Sequence, residues 1–354
     1  MRSLKVLLWH GLSISCGDLP QGGLNISNEY RSLFAPAVLP HTATCVQKAF
    51  VLGAGLGQRL RPLTAQLPKP LIPVFHQPLI TYAFDHLLAA GVKDFVVNTH
   101  HIPEAYAAAF PEGTHAGAPI AFRNESPERL ETAGGIANVR DLLNEEAFIV
   151  YNGDILTDLP LQALLDEHEA QGNLVTLALR STGPALHIAY DEKTGRVTDI
   201  RNKLGSGQDG SYLFTGIYAC QPEIHEWLTP GKVESVIPIF LRMIQEGAKL
   251  GAVVIDDGRW WDLGSRAAYL EAHQALHQLG TAPAPAIHPE ARVSPEASLR
   301  GLNVIGAGAV VEAGAALEDC IVWPEATIAS GAQLRQCIVR KGIRAEGLHE
   351  NADF

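Results

Sequence analysis

The sequence predicts an α/β protein: a Rossmann-like domain with a mainly parallel sheet, followed by a short left-handed parallel β-helix. Three observations lead there. From Gln47 onward, short β-rich runs alternate with amphipathic stretches, the pattern of a sheet covered by helices on both faces. After Gly280 the aliphatic period becomes six, with Ile287, Val293, Leu299, Ile305, Val311 and Leu317 in series. The length of 354 residues, 47% of them hydrophobic, suits one large packed domain and a smaller one.

The elements follow in order. Residues 1–45 carry Arg2 and Lys5 before Val6-Leu7-Leu8-Trp9, but His10 and Gly11 interrupt that run, so a secretory signal is not expected. The remainder of the segment, rich in Gly, Pro, Ser and Asn, reads as a poorly ordered extension. Residues 46–280 form the α/β domain. Ala49-Phe50-Val51-Leu52 is a compact apolar run ending at Gly53, a buried first strand. Leu79, Tyr82, Ala83, His86, Leu87 and Ala90 keep one helical face apolar until Gly91 stops the helix. Phe95-Val96-Val97 and Phe148-Ile149-Val150-Tyr151 are further strands, with a helix near 133–143 between them. The latter strand runs directly into Asn152-Gly153-Asp154. Ligands of open α/β sheets sit outside the carboxyl ends of strands, where both the Gly53 loop and Asp154 fall.

The linker Thr281-Ala282-Pro283-Ala284-Pro285 leads into the tail, expected over 286–341. Ala291, Ala297, Ala309 and Ala315 fit tight turns, and after a one-residue contraction Val322, Ile328 and Leu334 resume the series, giving about three triangular coils. Such tails commonly stack subunits, so a homo-oligomer is expected.

Composition excludes several classes. Twenty-seven basic against 38 acidic residues give a net charge of −11, which argues against nucleic acid as a partner. The five cysteines are scattered and form no CxxC pair, so neither a disulfide framework nor a zinc site is indicated. No stretch approaches the roughly 20 apolar residues that span a bilayer, so no membrane partner is expected and the protein reads as cytoplasmic.

Chemistry concentrates in Gly53-Ala54-Gly55-Leu56-Gly57-Gln58-Arg59-Leu60-Arg61-Pro62-Leu63-Thr64, followed by Pro68-Lys69-Pro70-Leu71. Glycines after a strand let backbone amides close around a polyphosphate, while Arg59 and Lys69 neutralise its charge. Gln58 stands where a dinucleotide fingerprint needs its third glycine, and no GK[ST] completes a Walker A loop. Glu131-Thr132-Ala133-Gly134-Gly135 offers backbone amides to a planar ligand edge, or a helix start capped by Thr132. Asp154 and Asp262, the latter in Trp260-Trp261-Asp262-Leu263-Gly264-Ser265, each present one carboxylate; alone, the first is an ordinary turn residue and the second an ordinary N-cap. Together with the phosphate loop they suit magnesium, which takes one or two carboxylates plus phosphate oxygens.

The run GAGLGQRLRPLTAQLPKPLIPV resembles the signature of the sugar-1-phosphate nucleotidyltransferases, with the resemblance extending from about Gln47 to Ala275. It implies an enzyme that joins a nucleoside triphosphate to a sugar 1-phosphate with Mg2+ and releases pyrophosphate. Gly53, Ala54, Gly55 and Gly57 would then contact the nucleotide, Arg59 the β- and γ-phosphates, and Lys69 the α-phosphate and the incoming sugar phosphate. Glu131 and Gly134 would lie at the nucleobase, and Asp154 and Asp262 would hold the metal. Phe214-Thr215-Gly216 resembles a segment near the sugar, although alternating Tyr212, Phe214 and Tyr218 also describe a core strand. Arg201-Asn202-Lys203-Leu204 replaces the family's Glu-Lys-Pro, with Lys203 keeping a cation. His100 and His101 follow a strand, where a pocket-lining role competes with an ordinary surface or core one. The Glu-Thr-Ala-Gly-Gly segment resembles both mannose-1-phosphate guanylyltransferases and N-acetylmuramate-1-phosphate uridylyltransferases. A non-catalytic regulatory subunit is the alternative from another class, and retention of Arg59, Lys69, Asp154 and Asp262 argues against it.

Overall fold

Burial on both faces of the strands organises the large domain. The computed structural model describes residues 46–143, 146–207 and 209–354, and the extension expected over 1–45 lies outside them. The main sheet contains β1 (Lys48–Leu52), β2 (Asp94–Thr99), β3 (Thr114–His115), β4 (Ala118–Asn124), β5 (Phe148–Asn152), β6 (Val175–Arg180), β7 (Ile188–Asp191), β8 (Arg196–Ile200), β9 (Leu213–Cys220) and β10 (Leu250–Val254). Their spatial order is β7-β8-β10-β6-β9-β5-β1-β2-β4-β3. β1 pairs in parallel with β2 on one side and β5 on the other, while β9 runs antiparallel between β5 and β6. Strands in the direction of β1 outnumber the reversed β3, β8 and β9, so the sheet is mostly parallel with antiparallel insertions.

Alternation of side chains across the pleat sends Ala49 and Val51 to one face and Phe50 to the other. The first face is covered by α1 (Leu79–Ala89) through Ile80, Ala83, Phe84 and Leu87. The second is covered by α2 (Glu131–Asn138) and later by the Val236–Gln245 helix, through Ile136, Ile239, Phe240 and Met243. Each such aliphatic or aromatic side chain contributes roughly 1.5–3 kcal/mol on full burial. The helix expected near 133–143 is two pieces, Glu131–Asn138 and Arg140–Leu143, because the chain turns at Val139.

Sequential strands step outward from β1 through β2 to β4, then cross back to β5 on the opposite side. The order therefore reverses between β1 and β5, and a crevice opens at their carboxyl ends.

The tail is a three-sided parallel coil. Val293, Val311 and Ile328 stack in register on one side, Leu299, Leu317 and Leu334 on the second, and Ile305, Val322 and Val339 on the third. These side chains, with Ala309, Ala315, Ala326 and Ala332, make its own core. The coils continue beyond the expected boundary at 341, since Leu348–Glu350 adds a strand paired with Gln333–Arg335. Leu302, Val304, Ile321, Trp323 and Ile338 turn outward and join Leu60, Leu263, Tyr269, Ala272 and Leu276 of the α/β domain in one apolar cluster. Among the described residues no helix is long and apolar enough to cross a membrane.

Candidate active site

The crevice at the β1/β5 reversal holds a cavity of about 420 Å³, lined by Leu52, Ala54, Gly55, Gly57, Arg59, Lys69, Asn98, Glu125, Arg129, Glu131, Asn152 and Asp154 among others. Its floor is the glycine loop. The amides of Gly55, Leu56 and Gly57 donate to no protein group among the described residues. A Cβ added at Gly55 would stand in open space, so the backbone there is bare to the cavity. Gly57 adopts a left-handed φ of 58°, and a Cβ there would come within 2.7 Å of the Thr64 methyl. Gly53 has a different task. Its N–H donates to Asn98 Oδ1 at 2.8 Å and its carbonyl accepts from the Tyr106 hydroxyl at 2.8 Å, so the strand end is clamped and offers no free amide.

Two short 3-10 turns deliver the cations. Gln58–Leu60 is anchored by buried Leu60 and leaves the Arg59 side chain 75% exposed. Lys69–Leu71 is held between Pro68 and buried Pro70 and Leu71, and leaves Lys69 only 5% exposed. Its ammonium donates to Asp154 Oδ2 at 2.7 Å and Asp262 Oδ1 at 3.1 Å, while Arg59 Nη2 lies 3.6 Å from Asp262 Oδ2.

The two aspartates meet because Trp260–Asp262 forms an antiparallel ribbon with Ile155–Thr157, placing Asp262 opposite Ile155. The Leu263 amide then donates to the Asp154 carbonyl at 3.3 Å. Asp262 is not the cap of the helix that follows; Ser265 is, its hydroxyl accepting from the Ala268 amide at 3.2 Å. Among the described residues no cluster of three or more His, Cys, Asp or Glu could hold a metal. A pair of carboxylates converging on one cationic point suits a hard ion that completes its shell with phosphate oxygens and water.

The expected base segment divides. Glu131 opens α2 in a left-handed conformation at φ 62°, lines the cavity and pairs with Arg129. Thr132 does not cap its own helix; its hydroxyl accepts from the Val236 amide at 2.7 Å and so serves the start of the Val236–Gln245 helix, about a hundred residues further on. Gly134 is packed against the 232–234 backbone: its amide donates to the Glu234 carbonyl at 3.2 Å, and an added Cβ would meet the Lys232 carbonyl at 2.2 Å. It therefore has no amide left for a nucleobase, and the expected contact is corrected to a packing role.

The sugar-side expectations also change. Thr215 is fully buried, its hydroxyl donating to the Ala178 carbonyl at 2.8 Å inside a bulge of β9, so it cannot reach a phosphate. Gly216, at φ 83°, lies under Asn152, whose side-chain nitrogen would be 2.5 Å from an added Cβ; it makes room for a cavity-lining residue. Lys203 sits exposed in a turn and does not line the cavity. His101 is tied to the Thr64 carbonyl at 2.9 Å, and neither it nor His100 lines the cavity.

Asn98, Glu125 and Arg129 escaped the sequence reading. Buried Glu125 accepts from Asn98 Nδ2 at 2.7 Å and from the Leu130 amide at 2.9 Å. A chain of hydrogen bonds thus runs from the Leu130 amide through Glu125 and Asn98 to Gly53. The usable signal was position: Asn98 and Asn152 stand at the carboxyl ends of parallel strands, and Glu125 and Arg129 lie in the loop that leaves a third.

With a glycine loop of open amides, two cations and paired carboxylates at the switch point, the site can hold a polyphosphate and a hard cation. Residues 48–279 match the family model described as nucleotidyl transferase, and the chain belongs to the sugar-1-phosphate nucleotidyltransferases of that family. It is 30% identical over 311 residues to a mannose-1-phosphate guanylyltransferase of Mycobacterium tuberculosis, covering 84% of each chain. It is 31% identical over 230 residues to an N-acetylmuramate alpha-1-phosphate uridylyltransferase of Neisseria meningitidis, covering 65% of this chain and 97% of the relative. A solved inositol-1-phosphate CTP transferase from T. maritima shares the fold at a TM-score of 0.55 and 18% identity, covering 64% of this chain and 92% of the other.

Proposed function

We propose that this protein joins a nucleoside triphosphate and a sugar 1-phosphate to give a nucleoside-diphosphate sugar and pyrophosphate, with Mg2+ held by Asp154 and Asp262. The observation that carries this reading is the meeting of Lys69, Asp154 and Asp262 beside the open amides of the glycine loop. Gly55, Leu56 and Gly57 bind the triphosphate, and Arg59, exposed at the mouth, neutralises its outer phosphates. Lys69 stands at the α-phosphate and receives the sugar phosphate. A phosphate oxygen of the sugar 1-phosphate attacks the α-phosphorus in line, its bond to the leaving pyrophosphate breaks, and no protein nucleophile takes part. Positioning and charge neutralisation supply the catalysis. When bound, the magnesium ion supplies Lewis-acid stabilisation of the phosphate oxygens.

Guanylyl transfer to mannose 1-phosphate is the first choice of substrates, because the relatives bearing that name align over 84% of the chain. Uridylyl transfer to N-acetylmuramate 1-phosphate is the second, favoured by the 31% identity across the catalytic domain. The protein works in the cytoplasm on this reading. Pyrophosphate release from each of four nucleoside triphosphates, against a panel of sugar 1-phosphates, tests it. Release should require both substrates and a divalent cation. Hydrolysis of triphosphate without a sugar phosphate, or no release with any pair, would overturn the assignment.

A further inference from the structure

We propose that the Lys69 ammonium holds the divalent-cation position until a polyphosphate arrives, so that metal and nucleotide enter the site only together. This rests on the metal reading of Asp154 and Asp262 given above. Lys69 bridges the two carboxylates, at 2.7 Å from one and 3.1 Å from the other, the spacing of charge-assisted hydrogen bonds. One ammonium therefore occupies the point at which a shared metal would bind.

Charge completes the argument. The two aspartates carry two negative charges, and Lys69 together with Arg59, 3.6 Å from Asp262, carries two positive ones. The Lys69 side chain is only 6% exposed where it stands, so a dication entering alone would take both carboxylates from a buried ammonium and leave it without a counter-charge, which is unfavourable. A triphosphate changes this balance. Its oxygens on the glycine loop give Lys69 a new partner within the same cavity, and complete the shell of a cation that takes only one or two carboxylates. The proline-flanked turn Lys69–Leu71 fixes the backbone, so only the outer end of the side chain has to move.

Manganese binding, read by water-proton relaxation, tests the idea on the full chain without turnover. The parent should bind Mn2+ weakly alone and at least about tenfold more tightly with an α,β-methylene analogue of GTP or UTP. Lys69→Met should bind Mn2+ alone at least about tenfold more tightly than the parent, and Asp154→Asn in that background should remove the gain. Tight Mn2+ binding by the parent without nucleotide would overturn the lysine's role and leave the metal site standing, even if Lys69→Met fails to fold. No gain in a folded Lys69→Met would do the same. Failure of the parent to bind Mn2+ with either analogue would instead remove the metal assignment, and this proposal with it.

Discussion

At the scale of single residues, carboxylate charge and glycine shape separate binding from folding. Asp154 and Asp262 are 36% and 38% exposed at their side chains and touch Lys69 and Arg59. Asparagine keeps their shape and can still accept from Lys69. Asp154→Asn and Asp262→Asn should therefore stay folded by circular dichroism, lose most turnover, and need far more magnesium for what remains. Near-parental turnover at low magnesium in both would remove the metal assignment of the two aspartates. Gly134 makes the opposite case. Its Cβ position lies 2.2 Å from a backbone carbonyl, which cannot rotate away. Gly134→Ala should cost about 1–3 kcal/mol in urea denaturation, with little change in nucleotide KM for the fraction that folds. A parental denaturation midpoint with a raised KM would restore the nucleobase contact.

At the scale of elements, what was legible depended on how far apart the partners stand in the chain. The glycine loop, Arg59 and Lys69 are contiguous, so their chemistry was on view in the sequence. The β-helix was legible because one residue type recurs at one period. Asn98 comes from the end of β2, and Glu125 and Arg129 from the loop after β4, so they gather only through the sheet order. The β9 bulge was hidden because Tyr212, Phe214 and Tyr218 alternate as in a regular strand, while the pairing shifts between Phe214 and Tyr218. Elements also carry a pH dependence that no motif announces. His168 fastens the Leu161–Gln171 helix to β6, Nδ1 donating to Thr176 Oγ1 at 2.8 Å and Nε2 accepting from Gln221 at 3.1 Å. His273, in the Arg266–Gln278 helix, donates from Nδ1 to the Tyr269 carbonyl at 2.8 Å and accepts the Phe75 amide at 3.4 Å. Burial lowers both to about 4 from 6.5. The unfolded chain thus binds more protons between those values, so stability is full above pH 6.5 and falls as pH drops toward 4. The urea midpoint should fall between pH 7.5 and pH 5, and His273→Gln should flatten that slope. An unchanged slope would exclude His273 as a contributor.

At the scale of the whole molecule, the tail's placement changes what its removal should do. A repeat read from sequence suggests a detachable assembly device, and light scattering of the full chain tests the expected homo-oligomer. The structure gives one outer face of the tail a partner within the same chain. Trp323 is 1% exposed, and its indole donates to the Tyr269 hydroxyl at 3.1 Å, which in turn donates to the Pro73 carbonyl. Arg266 pairs with Asp353 at 2.7 Å and Gln274 donates to Asp319 at 3.0 Å, so polar ties surround that contact. Leu302, Val304, Ile321, Trp323 and Ile338 together bury side chains worth ~10 kcal/mol as an upper figure. That is comparable to the whole stability of an ordinary domain, about 5–15 kcal/mol. The same cluster holds Leu60, next to Arg59, and Leu263, next to Asp262. Cutting after Gly280 should therefore lower both melting temperature and magnesium-dependent turnover. The point variant isolates the cause: in the full chain, Trp323→Ala should cost about 3–5 kcal/mol and Trp323→Phe less, because phenylalanine refills most of the space but cannot donate to Tyr269. Turnover should fall in the same order, through loosened Arg59 and Asp262. A truncated chain with parental melting temperature and turnover would show that the catalytic domain stands alone and that the tail serves assembly only.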